Sequence, residues 1–244
     1  MDPDFELMAK VRQIHSDTRS SYGSRRISGQ LRDDGYDVGR YRARTLMKKA
    51  GVSVKRRKKF KRTTDSNHKH PIAPNLLNRQ FDVERPNAAW CADITYLWTV
   101  QGWLYLAVVL DLYSRKVVGW ALSNRLTALV VKDALSMAYW RRKPEKGIIH
   151  HSDRGSQYAG GDYQKMLDQY GMICSMSRKG DCWDNAVVES FFHSLKTEWI
   201  ADIIYKTRDE ARADVINYIE MFYNSRRLHS FLGNTNPNSF ENNS

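Results

Sequence analysis

A chain of 244 residues with 41% hydrophobic content is long enough for one large domain or two small ones around a packed core. Its formal charge is +12, and all of the excess lies early: residues 1–80 hold 20 Lys and Arg against 8 Asp and Glu, whereas residues 81–244 hold 19 of each. A basic segment on a neutral body points to nucleic acid; it argues against a membrane, because the basic part lacks an apolar face and the longest apolar run, residues 104–110, is too short to span a bilayer. Cys91, Cys174 and Cys182 form no C-x-x-C pair, which argues against a disulfide framework and suits a reducing, cytoplasmic setting. The acidic start, Met1 to Glu6, is no signal peptide.

Taken in order, Asp2 and Pro3 predict a helix start, with the helix running to about Ser16. A second helix is expected over 24–33 and a third over 39–50, the last carrying Arg40, Arg42, Arg44 and Lys48. Three short helices with a basic third resemble a helix-turn-helix, whose last helix enters the major groove. The run Lys55, Arg56, Arg57, Lys58, Lys59, Phe60, Lys61, Arg62 has seven basic residues in eight and suits contact with phosphates. Polar sequence with Pro71 and Pro74 then reads as a linker. Strands are expected over 90–99, 103–111 and 116–122, joined by short turns and therefore antiparallel. A helix over 127–141 places Leu129, Val130, Ala134, Leu135 and Ala138 on one face. A strand over 148–152, a helix over 162–170, a strand over 172–175, helices over 185–199 and 208–222 and a polar tail complete the chain.

That order is the order of a ribonuclease H-like α/β fold: a mixed five-stranded sheet with helices, here preceded by a small helical region. The expected division is 1–54 for the helix-turn-helix-like part, 55–86 for a basic and polar linker, 87–205 for the catalytic core, and 206–244 for a final helix and tail. In such a sheet the first and fourth strands lie side by side. Each carries an acid, Asp93 on the first and Asp153 at the carboxyl end of the fourth, and Glu189 follows Asp153 after 35 intervening residues on the helix that packs behind. Three carboxylates in a basic protein suit a divalent-metal site for phosphodiester chemistry. Two Mg²⁺ ions about 4 Å apart can activate the attacking oxygen and stabilise the leaving one. Asp93 is expected to bridge the ions, with Asp153 and Glu189 each completing one.

Lys196 lies seven residues, two helical turns, after Glu189 and is placed to hold a DNA phosphate; His193 shares that face. Arg178 and Lys179 lie in the preceding loop, where DNA would pass. Asn185 is expected to cap the Glu189 helix, and Trp183 either stacks on a base or closes the core. His150 and His151, adjacent on a strand, face opposite ways and suit supporting roles. Asp111, after a buried strand and before a turn, reads as structural.

The blocks Trp90-Cys91-Ala92-Asp93-Ile94-Thr95-Tyr96, His151-Ser152-Asp153-Arg154-Gly155-Ser156-Gln157-Tyr158 and Asp184-Asn185-Ala186-Val187-Val188-Glu189-Ser190-Phe191-Phe192, with Lys196, resemble the DDE transposases of bacterial insertion sequences. The likeness is to the second-frame product of the "IS three" family, in the retroviral integrase superfamily. Tyr22-Gly23-Ser24-Arg25-Arg26-Ile27 resembles its helical DNA-binding region, and Tyr223-Asn224-Ser225-Arg226-Arg227-Leu228-His229-Ser230 its C-terminal signature. The resemblance implies an RNase H-like core with Asp93, Asp153 and Glu189 as the catalytic triad, cleavage at the element's ends, and attack of the freed 3′-OH on another phosphodiester. It implies double-stranded DNA, both element ends and target, as partner, a homo-oligomer in a synaptic complex, and a first-frame product as a separate partner or as part of a fusion. The expected location is the bacterial cytoplasm, on the nucleoid. Leu228 stands where relatives often carry Pro, and the Asn-rich tail is unusual. A retroviral-type integrase would carry a His-His-Cys-Cys module, and no Cys precedes Cys91. The rival functions are a nuclease without strand joining and a DNA-binding regulator.

Overall fold

The computed structural model describes residues 4–54 and 70–243; the expected Asp2–Pro3 helix start and the basic run at 55–62 lie outside them. The chain divides into two compact units. One comprises residues 1–60, 193–202 and 228–235, and the other comprises 61–192, 203–227 and 236–244.

In the first unit, helices α1 (Phe5–Asp17), α2 (Ser24–Asp33) and α3 (Arg40–Lys49) pack pairwise. Leu7, Val11, Ile14, Ile27, Leu31, Ala43, Leu46 and Met47 face inward at helical spacing. Arg40, Arg42, Arg44 and Lys48 stay exposed on α3. Two later segments of the chain complete this unit. The Tyr22 hydroxyl accepts the Leu228 amide at 2.8 Å, and the Arg19 guanidinium lies 3.8 Å from the Trp199 ring centre.

The second unit is built on a five-stranded sheet ordered β3-β2-β1-β4-β5. Strand β1 (Ala89–Thr99) turns through Gly102, at φ +105°, into β2 (Gly102–Asp111), and β3 (Val117–Ser123) completes the antiparallel meander. Strands β4 (Ile149–Ser152) and β5 (Ile173–Met176) add in parallel on the other side. Between β3 and β4 runs α4 (Ala128–Arg142), which covers the sheet with Val130, Val131, Ala134, Leu135 and Ala138 against Trp90, Ala92, Ala107, Val109 and Val118. A Cβ on Gly119 would come within 2.7 Å of Ala138 Cβ, so glycine is what lets helix and sheet approach this closely. Leu129, expected on the buried face, is 62% exposed. At 100° per residue it points almost opposite to the centre of the face formed by 130, 131, 134, 135 and 138.

A short helix α5 (Ser156–Ala159) and α6 (Gly161–Gln169) connect β4 to β5. Then a 3-10 turn (Cys182–Asn185) leads into α7 (Ala186–Ser194), and α8 (Arg208–Asn217) follows later. Neither of the two long C-terminal helices stays α throughout. π-helical turns continue α7 over Leu195–Trp199 and α8 over Tyr218–Tyr223.

The expected polar tail is ordered. Helix α9 (Pro237–Asn242) starts from Asn236, whose side chain accepts the Ser239 amide, and its Glu241 joins a buried charge cluster. Arg142, 17% exposed, donates to both carboxylate oxygens of Glu241 at 2.9 and 3.0 Å and to Asp111 at 3.3 Å. Burial pushes the Asp111 carboxyl up, against the pull of the Asn87 and Tyr113 amides and Arg142. Burial also resists ionisation of Glu241, but the Ser114 hydroxyl, Arg142 and Lys116 outweigh it and hold its carboxyl low. Asp111 is thus structural, as its place after a buried strand implies. Among the described residues no helix is long and apolar enough to cross a membrane.

Candidate active site

Strands β1 and β4 pair in parallel from Ala89 opposite Ile149 to Ala92 opposite Ser152. Asp93 and Asp153 are the next residues on each, about 4.8 Å apart by strand spacing. Here β4 ends while β1 continues to Thr99, so the sheet opens beside β1 just where both acids stand. A crevice at the carboxyl ends of parallel strands is where α/β sheets bind ligands. The Asp93 carboxylate accepts the Ile94 amide at 2.7 Å, and that of Asp153 accepts the Gly155 amide at 2.9 Å. A Cβ on Gly155 would lie 3.0 Å from the Asp153 oxygen, so this position favours glycine.

Asn185 ties the start of α7 to β1. Its amide donates to the Ala92 carbonyl at 3.3 Å, next to Asp93, and Glu189 lies four residues further on, within α7. The expected capping role for Asn185 is not what it does. Its Oδ1, the atom a cap would use, is buried without a hydrogen-bond partner, because the side chain is turned toward β1.

Asp184 is the residue whose importance the local pattern concealed. It is fully buried, and its two oxygens receive Asn75 Nδ2, Arg79 Nε, the Arg178 backbone amide, and Arg178 Nε and Nη2, all at 2.7–2.9 Å. Arg178, foremost among these, holds the Asp184 carboxyl far below the usual range. The latch fixes the loop before α7. On that loop Trp183 is 67% exposed, so it is available to stack and does not close the core. Arg178 is committed to this latch, while Lys179 is exposed. Local pattern did not mark Tyr158 either. Its buried hydroxyl has no hydrogen-bond partner among the described residues, and after burial and Tyr163, the charges of Asp93 and Asp153 raise its pKa further.

His150 and His151 are both buried and face opposite sides. His150 Nε2 meets the Tyr163 hydroxyl at 3.1 Å, and His151 meets Ser175 and Ser177 at 2.8 and 3.1 Å. Burial depresses His150 to about 3. Its unfolded value is near 6.5, so its neutral form contributes stability that is full above that pH and is lost as pH falls toward 3. From pH 6.5 to 5 the loss is about 2 kcal/mol, at roughly 1.4 kcal/mol per pH unit. Urea denaturation at both pH values, with His150→Gln beside wild type, checks this; an equal pH slope in the two proteins would refute it.

Lys196 sits in the π turn after α7, partly exposed. The two-turn spacing from Glu189 assumed an unbroken α helix, which ends at Ser194. His193 is exposed. Among the described residues, no three His, Cys, Asp or Glu side chains are gathered closely enough to hold a metal. The donor chemistry nonetheless fits a hard cation, since Asp93, Asp153 and Glu189 all offer carboxylate oxygens. Like charges held together repel until a cation lies between them.

A sheet of this order, with Asp93 within β1, Asp153 just past the end of β4 and Glu189 on α7, is that of a polynucleotidyl transferase with an integrase-type core. Residues 83–182 and 189–244 match two family models each described as "Integrase core domain", and residues 2–60 match an "HTH-like domain". Transposase InsF of insertion sequence IS3A from Escherichia coli K12 is 46% identical over 92% of this chain and 78% of its own length. The uncharacterized 31 kDa protein of insertion element IS600 from Shigella sonnei is 45% identical over 97% of this chain and 87% of its own. A simian T-cell lymphotropic virus intasome bound to PP2A regulatory subunit B56 gamma aligns at TM-score 0.56 and 16% identity, covering 95% of this chain and 74% of that one. The HTLV-2 integrase catalytic core domain in complex with magnesium aligns at TM-score 0.50 and 16% identity, covering 64% and 97%. The two structural likenesses show the fold. The chain belongs to the InsF transposases of IS3-family insertion sequences.

Proposed function

We propose that this transposase cuts DNA at the ends of its element and joins the freed 3′-OH to a second phosphodiester, using Mg²⁺ or Mn²⁺ held by Asp93, Asp153 and Glu189. The observation that carries the reading is the placing of Asp93 and Asp153 side by side where β4 stops and β1 continues, with Asn185 tying the start of α7 to Ala92. When bound, a pair of such ions lowers the pKa of the attacking hydroxyl and neutralises charge on the leaving oxygen. In cleavage, a water oxygen bonds to phosphorus, the bond to the 3′ oxygen breaks, and that oxygen leaves as a 3′-OH. In joining, the 3′-OH attacks a target phosphodiester, so one P–O bond forms as another breaks. The chain's own part is to present the carboxylates, to fix the loop before α7 through Asp184, and to hold the substrate backbone with Lys196. Arg40, Arg42, Arg44 and Lys48 of α3, Lys55, Arg56, Arg57, Lys58, Lys59, Lys61 and Arg62, and Lys179 supply the wider DNA contacts, while Arg178, spent on Asp184, holds the loop that carries Lys179.

Residues 1–54 serve end recognition, 55–86 join this part to the core, with Asn75, Leu77 and Arg79 packed onto it, 87–205 catalyse, and 206–244 complete the fold. Two DNA ends require at least two copies of the chain, with the first-frame product as a further partner. All of this takes place in the bacterial cytoplasm, on the nucleoid. The decisive experiment incubates wild-type protein with labelled DNA carrying the element's ends, with and without Mg²⁺ or Mn²⁺. Joined products that require the metal are expected. Cleavage without joining would replace this reading with a nuclease, and DNA binding with no metal-dependent product would replace it with a regulator.

A further inference from the structure

The stretch 177–185, from the end of β5 to the start of α7, is fastened at both ends beside the paired acids. The Ser177 amide donates to the Ser152 carbonyl at 2.9 Å, one residue before Asp153. At the other end the Asn185 side chain donates to the Ala92 carbonyl at 3.3 Å, one residue before Asp93. Between these anchors the loop is bonded closely to the core. Arg154 Nε donates to the Ser177 carbonyl at 2.6 Å, Asp184 is held by Asn75, Arg79 and Arg178, and the Trp183 amide donates to the Asp181 carboxylate at 3.2 Å.

The backbone around Trp183 is therefore fixed, yet its indole is 67% exposed while Asp184 and Asn185 beside it are buried. Leaving a large aromatic ring in water forgoes the free energy that its burial would give, so a surface that covers it in use is the natural complement. The surrounding charge sets the chemistry of that surface. Within the loop Arg178 and Lys179 offset Asp181 and Asp184, and Arg79 and Arg154, which bond to it, leave an excess of positive charge. A nucleotide suits both features, with its base face on the indole and its phosphates beside the cations. Bases inside a duplex are covered on both faces by their neighbours, so the base that meets the ring is unpaired or terminal.

We propose that Trp183 is a positioning residue whose indole stacks on one unpaired base next to the phosphodiester being cut or joined, and so holds that strand over Asp93 and Asp153. The assignment rests on the reading of this chain as a transposase that joins strands. Because the loop is anchored one residue before each of the two acids, a base held by Trp183 is held in register with both. The contact is made to the face of a base and not to its edge, so it tolerates any sequence at that position.

The test uses the full-length chain and DNA carrying the element's ends. 5-Iododeoxyuridine, which cross-links on irradiation to an aromatic ring stacked on it, is placed in turn at each position around the cleaved bond, without metal. One position is expected to cross-link to Trp183, and the adduct is expected to vanish in Trp183→Ala. In the joining assay Trp183→Ala is expected to lose roughly 5- to 150-fold, the worth of one base–aromatic stack, while Trp183→Phe keeps most of the activity. The salt slope of DNA binding should not change, since the indole carries no charge. An abasic nucleotide at the cross-linked position should cost wild type as much as the substitution does and cost Trp183→Ala nothing more. Equal abasic costs in the two proteins, or joining by Trp183→Ala at the wild-type level, would overturn the proposal. A cross-link at Trp183 with no joined product from wild type would leave the stack standing and remove strand transfer; joined product with no cross-link at Trp183 would do the reverse. If the substitution instead changes the sedimentation of the DNA-free protein, the ring covers a protein surface and the assignment to a base is wrong.

Discussion

Asp153→Asn is expected to abolish strand joining, by a factor on the order of 10³ or more, equivalent to roughly 4 kcal/mol of transition-state stabilisation. The substitution keeps size and shape. Asn Oδ1 can still accept the Gly155 amide that Asp153 now accepts at 2.9 Å, so the turn after β4 stays in place. What disappears is one negative charge of the pair just beyond the paired stretch of β1 and β4, and with it a ligand for a hard cation. Asp93→Asn should behave alike, since the Ile94 amide is likewise still satisfied. The measurement is product formation on labelled element ends, with thermal denaturation of each variant alongside. An activity within tenfold of wild type, in a protein that melts normally, would remove Asp153 from the chemistry.

Arg142→Ala is expected to cost about 3 kcal/mol or more of folding stability without touching the site. Arg142 is the shared partner of Asp111, which is fully buried, and of Glu241, which is nearly so. Removing it leaves two desolvated carboxylates facing each other, and breaking a buried pair in this way typically costs roughly 3–5 kcal/mol. Lys116 and Ser114 still serve Glu241, which argues for the lower end. The sign of the pH effect is set by the carboxylates. Without Arg142 both bind protons more readily in the folded state, so the deficit is largest at pH 7 and narrows as pH falls toward about 4. Urea unfolding at both pH values checks this. A uniform deficit would mean that lost packing, and not stranded charge, is the cause.

The strands of the sheet were legible because their burial requires it: residues 104–110 are a continuous apolar run, and β1 ends in a turn made by Gly102. The paired acids were legible for a related reason. The order of the strands sets β1 beside β4, and Asp93 and Asp153 follow the last paired residues on each. Glu189 could be placed because the helix around it is amphipathic and short. What local pattern could not reveal are partners far apart in sequence. Asp184 looks like an ordinary helix-start residue, yet its donors Asn75 and Arg79 lie 109 and 105 residues away. Composition misled at the C-terminus, where Asn-rich sequence suggested a tail while one acid, Glu241, anchors a helix. It misled again after Ser194 and Asn217, where apolar spacing continues but the hydrogen bonding shifts to π.

The latch on Asp184 bears on how a minimal catalytic fragment should be cut. The integrase-core match begins at residue 83, and a truncation there would seem natural. It would discard Asn75 and Arg79 and leave a fully buried carboxylate with Arg178 alone to satisfy it. The loop carrying Trp183 and leading to Glu189 would lose part of its anchorage. A fragment starting at residue 70 retains both donors together with Leu77, which is buried. For crystallography or inhibitor screening, those thirteen extra residues belong to the core in every sense but sequence similarity.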